Sequence, residues 1–139
     1  MKEYRANTTI NAPADKIWSI LTNTGAWPEW DPSCDRIEGT VALGAKIKAF
    51  TKLSPGRAFP VKVTELAPNQ KMTWSGGMPF GLFKGERTFT LSSDGPGRTS
   101  FELREVFSGP MLALIGKSIP DMTDAFQGFV NGLKKRAEL

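Results

Sequence analysis

Apolar and polar residues alternate along most of the chain, and this two-residue period predicts β-strands. Within residues 3–10, one face carries Tyr4, Ala6, Thr8 and Ile10. Six more strand patterns follow, separated by short turns, and they cover residues 35–41, 46–53, 59–66, 71–75, 83–92 and 98–107. Consecutive strands joined by short turns pair antiparallel, so the sequence predicts one antiparallel sheet.

Helical spacing of apolar residues appears in three places. Residues 13–22 predict a helix, with Asn11 placed to cap it, and its apolar stripe consists of Ile17, Trp18 and Leu21. Trp27 and Trp30 predict a short helical turn in the segment that follows. We expect both tryptophans to pack near the end of the sheet rather than to lie exposed.

The C-terminal segment from Pro110 predicts a long helix interrupted at Pro120. Its last part has one apolar face, made by Met122, Phe126, Phe129, Val130 and Leu133. One face of an antiparallel sheet needs cover, and only this helix is large enough to supply it. The expected fold class is therefore α+β, with seven strands, two short helices between the first and second strands, and a long C-terminal helix.

Composition and charge narrow the function classes. The chain has 139 residues with 40% hydrophobic and 23% charged, which fits one globular domain over residues 1–139. The net charge is +4, but the basic residues are scattered, so no nucleic-acid partner is expected. The one basic cluster, residues 134–136, is either a solvated helix end or an anion site. No secretory leader and no apolar run long enough to enter a membrane is apparent, which predicts a cytoplasmic protein without membrane insertion.

The chain lacks histidine and has one cysteine, Cys34. Serine and cysteine hydrolysis of the imidazole-dependent kind is therefore excluded, as is a histidine-ligated or multi-thiolate zinc site. No phosphate-binding or dinucleotide-binding glycine loop is present. We expect no metal and no cofactor, and we expect Cys34 to be a small, partly buried apolar residue.

Two charged residues interrupt the apolar rows of neighbouring strands. Arg87 shares a face with Phe83 and Phe89, and Glu105 shares one with Phe101 and Leu103, so both are expected to point inward. A buried charge is costly unless it is paired. The two side chains are therefore either a structural ion pair or a polar anchor inside an apolar cavity. Glu65, on the row of Val61 and Val63, is a weaker third exception.

The inward rows, the helix face and the apolar connection within residues 74–87 supply the candidate ligand-binding residues. Those of the rows and the helix face belong either to a packed core or to the wall of a cavity. They are Met72, Trp74, Met78, Phe80, Phe83, Arg87, Phe89, Phe101, Leu103, Glu105, Phe107, Met122, Phe126 and Phe129. Residues 74–87 are unusual because an apolar, glycine-broken stretch lies where a polar turn is expected.

Three motifs resemble the SRPBCC (START/Bet v 1-like) superfamily, and most closely its bacterial polyketide cyclase/dehydrase-like branch. They are APADKIW followed by LTNTGAWPEWDP, then GERTFTL, and finally FELREVFSGPMLALIGKSI, and the resemblance covers almost the whole chain. It implies a helix-grip fold, in which the sheet wraps around the C-terminal helix and encloses a deep cavity. It also places the 74–87 stretch at the cavity mouth, where Phe80 and Leu82 either form a lid or plug the barrel end.

Similar sequences often carry histidine in a G-x-H-x-F motif, where this chain has Gly85-Glu86-Arg87-Thr88-Phe89. Arginine stays protonated, so Arg87 suits binding of a carboxylate, enolate or phenolate rather than acid–base work. The leading hypothesis is binding or carriage of a small hydrophobic molecule, such as a lipid, polyketide or aromatic acid, by a monomer or homodimer. One alternative is a cyclase or dehydratase-like enzyme with Glu105 as base and Arg87 as enolate stabiliser. Another is a chaperone-type accessory, whose sign would be a filled core and a large exposed apolar patch.

Overall fold

The computed structural model describes residues 1–139 and has an α+β, helix-grip architecture. The seven strands are β1 Lys2–Ile10, β2 Cys34–Glu38, β3 Lys46–Thr51, β4 Ala58–Ala67, β5 Lys71–Gly77, β6 Lys84–Ser93 and β7 Thr99–Ser108. They form one curled antiparallel sheet in the order β1-β7-β6-β5-β4-β3-β2. The α-helices are α1 Ala14–Thr22, α2 Leu112–Ile115 and α3 Thr123–Ala137, and short 3-10 helices cover Thr24–Glu29, Pro79–Gly81 and Gly116–Ser118. The predicted fold class and strand count are confirmed.

The C-terminal helical region is more broken than its apolar pattern predicted. A single turn of helix, α2, passes into a 3-10 turn, and α3 begins only at Thr123. Ile119 is extended, with φ −77° and ψ 120°, because the ring of Pro120 disfavours the helical conformation of the residue before it. The long helix is therefore the 15-residue α3.

The predicted Asn11 cap of α1 is wrong. The chain enters α1 through extended Pro13, and no side chain caps the first turn. The backbone N–H of Asn11 instead donates to Glu138 Oε2 at 2.8 Å, which ties the start of α1 to the end of α3.

The core lies between the concave face of the sheet and α3. Trp27 stacks on Trp74 with ring centroids 5.1 Å apart and nearly parallel planes, and the ring of Phe129 meets Trp27 edge-on at 5.3 Å. Trp30 is also buried and meets Phe129 at 4.9 Å. Both tryptophans of the 24–30 segment therefore pack inside the molecule, as expected, and do not form a surface for a partner.

Two glycines let the chain cross α3 at close range. A Cβ on Gly132 would lie 1.9 Å from the carbonyl oxygen of Trp30, and one on Gly128 would lie 3.1 Å from Cγ of Pro32. Real Cβ contacts below 3.0 Å essentially do not occur, so the segment 30–32 can lie against this part of α3 only because Gly132 has no side chain. This crossing fixes the position of Asp31.

A β-bulge changes the side on which Glu65 lies. The register between β4 and β5 shifts between Val63, which faces Trp74, and Glu65, which faces Thr73. The extra residue turns Glu65 to the outer face, where its carboxylate accepts a hydrogen bond from the Thr73 hydroxyl at 3.0 Å and pairs with Lys71 at 3.2 Å. The prediction that Glu65 is a third inward charge is therefore wrong.

Candidate functional site

A cavity of about 470 Å³ lies between the sheet, α3 and the segment 30–34. Most of the residues around it are hydrophobic. Lining residues that are also exposed to solvent, including Leu53, Arg57, Met78 and Pro120, mark its mouth. The mouth is formed by the β3–β4 turn, the β5–β6 connection and the segment before α3.

The cavity occupies one end of the sheet, and this decides which predicted residues lie in its wall. Ten of the candidates do: Trp74, Met78, Phe83, Arg87, Leu103, Glu105, Phe107, Met122, Phe126 and Phe129. Met72, Phe89 and Phe101 lie at the other end, fully buried in the core and outside the cavity wall. Alternation along a strand assigns a side chain to a face, but it does not tell where along that face the helix packs and where it leaves space.

Phe80 departs most from its predicted place. It is 99% exposed, and its backbone has φ 61° and ψ 23°, a left-handed conformation that is strained for a bulky residue. Met78 and Leu82 beside it are also exposed. The interpretation of Phe80 and Leu82 as a plug of the barrel end is therefore wrong for this structure, in which the loop 78–83 stands at the mouth.

Arg87 and Glu105 form an ion pair on the concave face. They are direct register partners on β6 and β7, and Arg87 Nε donates to Glu105 Oε1 at 2.8 Å. Glu105 is buried, and the guanidinium lies 5.0 Å from the centre of the Phe126 ring. Nε is the only nitrogen of Arg87 with a hydrogen-bond partner in the chain, so its terminal nitrogens remain available as donors. The predicted proximity of the two residues is confirmed.

Asp31 is a polar residue of the cavity wall that sequence reasoning missed. It is 8% exposed, and the hydrogen bond it receives comes from the backbone N–H of Ser33 at 3.2 Å. Burial raises the pKa of Asp31, while that hydrogen bond and the positive charges of Arg87 and Lys52 oppose the rise. The Gly128–Gly132 spacing of α3 allows a close crossing, but it does not indicate which segment crosses there.

Cys34 lines the cavity next to Asp31. Burial, together with the negative charges of Asp31 and Asp35, raises the pKa of the Cys34 thiol to about 11. The side chain is buried and stays protonated at neutral pH, so it contributes an apolar surface to the wall.

Two members of the basic cluster at residues 134–136 form surface ion pairs. At the end of α3, Lys134 donates to Glu138 at 2.6 Å and Arg136 donates to Glu29 at 2.7 Å. The outer face of the sheet has a depression that is lined entirely by polar and charged residues. They include Glu65, Lys71 and Arg104. Such mixed charges on a strand face are typical of a solvated surface.

No helix of the structure has the length and apolar character needed to cross a bilayer.

Residues 1–138 match the model of a family described as polyketide cyclase/dehydrase and lipid transport. A comparison with curated proteins found no match.

Solved structures share the fold at low identity. A START superfamily protein from Mycobacterium smegmatis is 18% identical with a TM-score of 0.71, over 98% of this chain and 97% of that one. The Aha1 dimer from Colwellia psychrerythraea is 23% identical with a TM-score of 0.73, over 100% and 98%. The di-domain aromatase/cyclase BexL of the BE-7585A biosynthetic pathway is 16% identical with a TM-score of 0.72, and this chain spans about half of its length, 47%.

Proposed function

Because the chain belongs to the polyketide cyclase/dehydrase and lipid transport family, we propose that it binds or carries one small hydrophobic molecule in the internal cavity. The proposed ligand class is a lipid, a polyketide or an aromatic acid. The observation that carries the proposal is the cavity itself, because a void of about 470 Å³ falls within the range of small-molecule sites.

The cavity wall supports binding of a largely apolar molecule. Its side chains include Trp74, Phe107, Phe126 and Phe129, and burial of apolar ligand surface against them would contribute roughly 25 cal/mol per Å². The few inward polar groups, Arg87, Glu105 and Asp31, would fix the orientation of the ligand. This combination of an apolar wall with few placed polar groups is typical of binding sites that recognise one end of a greasy molecule.

The loop 78–83 is proposed as a lid over the mouth. Its carbonyl at Leu82 accepts a hydrogen bond from Met111 N–H at 2.9 Å, which joins it to the segment before α2. Exposed Met78, Phe80 and Leu82 would close over an apolar ligand and lose their contact with water. We further propose that residues 1–139 form one cytoplasmic domain that acts as a monomer or homodimer.

Native mass spectrometry of the protein as purified, with denaturing extraction alongside, tests the proposal first. Binding of a naphthalene sulfonate dye supplies a second readout if the cavity is empty. The matched variants are Ala49→Phe, which places a ring in the cavity wall, and Ala42→Phe, which places the same ring on an exposed turn. We expect Ala49→Phe to lose the ligand or dye and Ala42→Phe to keep it. A protein that carries no ligand and binds no dye would contradict the proposal.

A cyclase or dehydratase-like enzyme is the second candidate function. It is favoured by the convergence of Arg87, Glu105 and Asp31 on one cavity, since a carboxylate base and a cationic enolate stabiliser are what aldol-type cyclisation needs. The two functions differ in whether the ligand leaves unchanged. Incubation with a poly-β-keto thioester, followed by mass spectrometry, would show loss of water for an enzyme and an intact ligand for a carrier. An Arg87→Met control should abolish the enzymatic loss of water.

The third alternative, a chaperone-type accessory, has less support. Its expected sign was a filled core with a large exposed apolar patch. The interior instead holds the cavity, and the exposed apolar residues Met78, Phe80 and Leu82 stand beside its mouth.

A further inference from the structure

Asp31 is buried in the cavity wall with acceptor capacity to spare. Its side chain receives one backbone hydrogen bond, from Ser33, although an ionised carboxylate can accept about four. A buried polar group with too few hydrogen-bond partners is destabilising, so Asp31 lowers the free energy of unfolding. A ligand group that donates a hydrogen bond would remove this cost.

The charges facing the cavity disfavour an anionic ligand. Inside it are two carboxylates, Asp31 and Glu105, and one guanidinium, Arg87, which is already paired with Glu105. The thiol of Cys34 is protonated and adds no charge. The other nearby cations are exposed: Arg57 lies at the mouth over the Phe59 ring, and Lys52 lies on the β3–β4 turn. A ligand carboxylate at Arg87 would therefore be a third negative charge beside one half-buried cation.

The free hydrogen-bonding groups are complementary to a neutral polar head. Arg87 offers N–H donors through its terminal nitrogens, and Asp31 offers carboxylate oxygens as acceptors. A ligand hydroxyl group, alone or beside a carbonyl, can accept a hydrogen bond from Arg87 and donate one to Asp31. An ionised carboxylate has no proton to donate and would leave Asp31 with the single hydrogen bond from Ser33.

We infer that Asp31 is a ligand-binding residue which, together with Arg87, selects a neutral hydroxyl-bearing molecule such as a phenol or alcohol over a carboxylate. The inference rests on the proposed function and narrows its ligand class, because it disfavours fatty acids and aromatic acids. Discrimination arises because an anionic head group gives Asp31 no further hydrogen bond and adds charge repulsion.

Equilibrium dialysis of the protein against 2-naphthol, 2-naphthoic acid and naphthalene, each measured separately, tests the inference. The three probes share one apolar body and differ in the head group. For the wild-type protein we expect 2-naphthol to bind tighter than 2-naphthoic acid by about tenfold or more. The Asp31→Asn variant keeps an oxygen for the Ser33 hydrogen bond and removes the negative charge. It should therefore bind 2-naphthoic acid more tightly, which lowers the ratio of the 2-naphthol affinity to the 2-naphthoic acid affinity. Asp35→Asn is the matched control, because Asp35 is exposed and lies outside the cavity wall.

The outcomes separate this inference from the proposed function. Equal binding of 2-naphthol and 2-naphthoic acid to the wild-type protein, or tighter binding of the acid, would overturn the inference and leave the binding function standing. An unchanged ratio in Asp31→Asn would also overturn it, provided that circular dichroism shows that variant to be folded. If none of the three probes binds, the proposed function fails and the inference fails with it. The ratio of the two affinities is also measured on the wild-type protein. The inference can therefore be tested even if the Asp31→Asn protein misfolds.

Discussion

Arg87 and Glu105 face each other across β6 and β7, with Nε 2.8 Å from Oε1, on a face that is otherwise apolar. The pair closes one side of the cavity and leaves the terminal nitrogens of Arg87 free. Its two members are not equally covered, since the side chain of Arg87 is 27% exposed and that of Glu105 is 11% exposed. This geometry lets one interaction hold the sheet together and present a cation to a ligand.

A double-mutant cycle should separate these roles. We expect Arg87→Met and Glu105→Leu each to lower the free energy of unfolding by about 1–3 kcal/mol, because each leaves a charged group without its partner. The double variant should cost less than the sum of the two, since apolar side chains then replace both charges. Chemical denaturation of the four proteins measures the coupling. Additive effects would show that the pair contributes nothing to stability.

Substitutions in the α3 glycines should reveal how the Asp31 segment is held. Gly132→Ala is expected to lower the free energy of unfolding by about 3 kcal/mol, because its Cβ would overlap the Trp30 carbonyl oxygen and the backbone must move. Gly128→Ala is the matched control. Its Cβ would meet two ring carbons of Pro32 and no backbone atom, and alanine gains about 1 kcal/mol of helix propensity. Equal stabilities of the two variants in thermal denaturation would contradict the close crossing.

Replacing Phe80 should test whether its ring is free in solution. Phe80→Ala removes an exposed ring and keeps the strained backbone, so the free energy of unfolding should stay within about 0.5 kcal/mol of wild type. Phe80→Gly relieves the left-handed strain and should raise it by about 0.5–1 kcal/mol. Urea denaturation of both variants provides the measurement. A large loss of stability in Phe80→Ala would show that the ring is buried, as the plug interpretation requires.

The raised pKa of Asp31 predicts a particular pH dependence. The folded protein holds the Asp31 proton more tightly than the unfolded chain, because burial disfavours the charged form. The stability contributed by that proton is fully present below the ordinary aspartate value of 3.8 and is lost as the pH rises through the raised pKa. The free energy of unfolding of Asp31→Asn, relative to wild type, should therefore increase over this range and level off above it.

Other carboxylates change stability with the opposite sign and cancel in this comparison. Hydrogen bonds lower the pKa of four exposed carboxyls, those of Glu3, Glu65, Asp121 and Glu138. They stabilise the fold above their ordinary pKa and lose that effect as the pH falls. Both proteins contain them, so the difference between the two denaturation curves isolates Asp31. Parallel curves across the acid range would contradict the raised pKa.

The sequence by itself determined which faces of the strands are apolar and which two charges interrupt them. A period of two assigns each side chain to a face, and the 93–97 turn sets the count between β6 and β7, so the proximity of Arg87 to Glu105 was predictable from local information. The same alternation gave the wrong face for Glu65. A β-bulge that the sequence does not indicate turns this side chain to the outer face of the sheet.

Only the tertiary structure decided where the space inside the molecule lies. Met72, Phe89 and Phe101 follow the same alternation as Trp74, Leu103 and Phe107. All six are buried, yet only the last three also line the cavity. Their difference depends on how far α3 packs along the sheet. The position of Asp31 likewise depends on Gly132, about 100 residues away, because a close crossing of two segments is a property of their packing and leaves no periodic signal in either one.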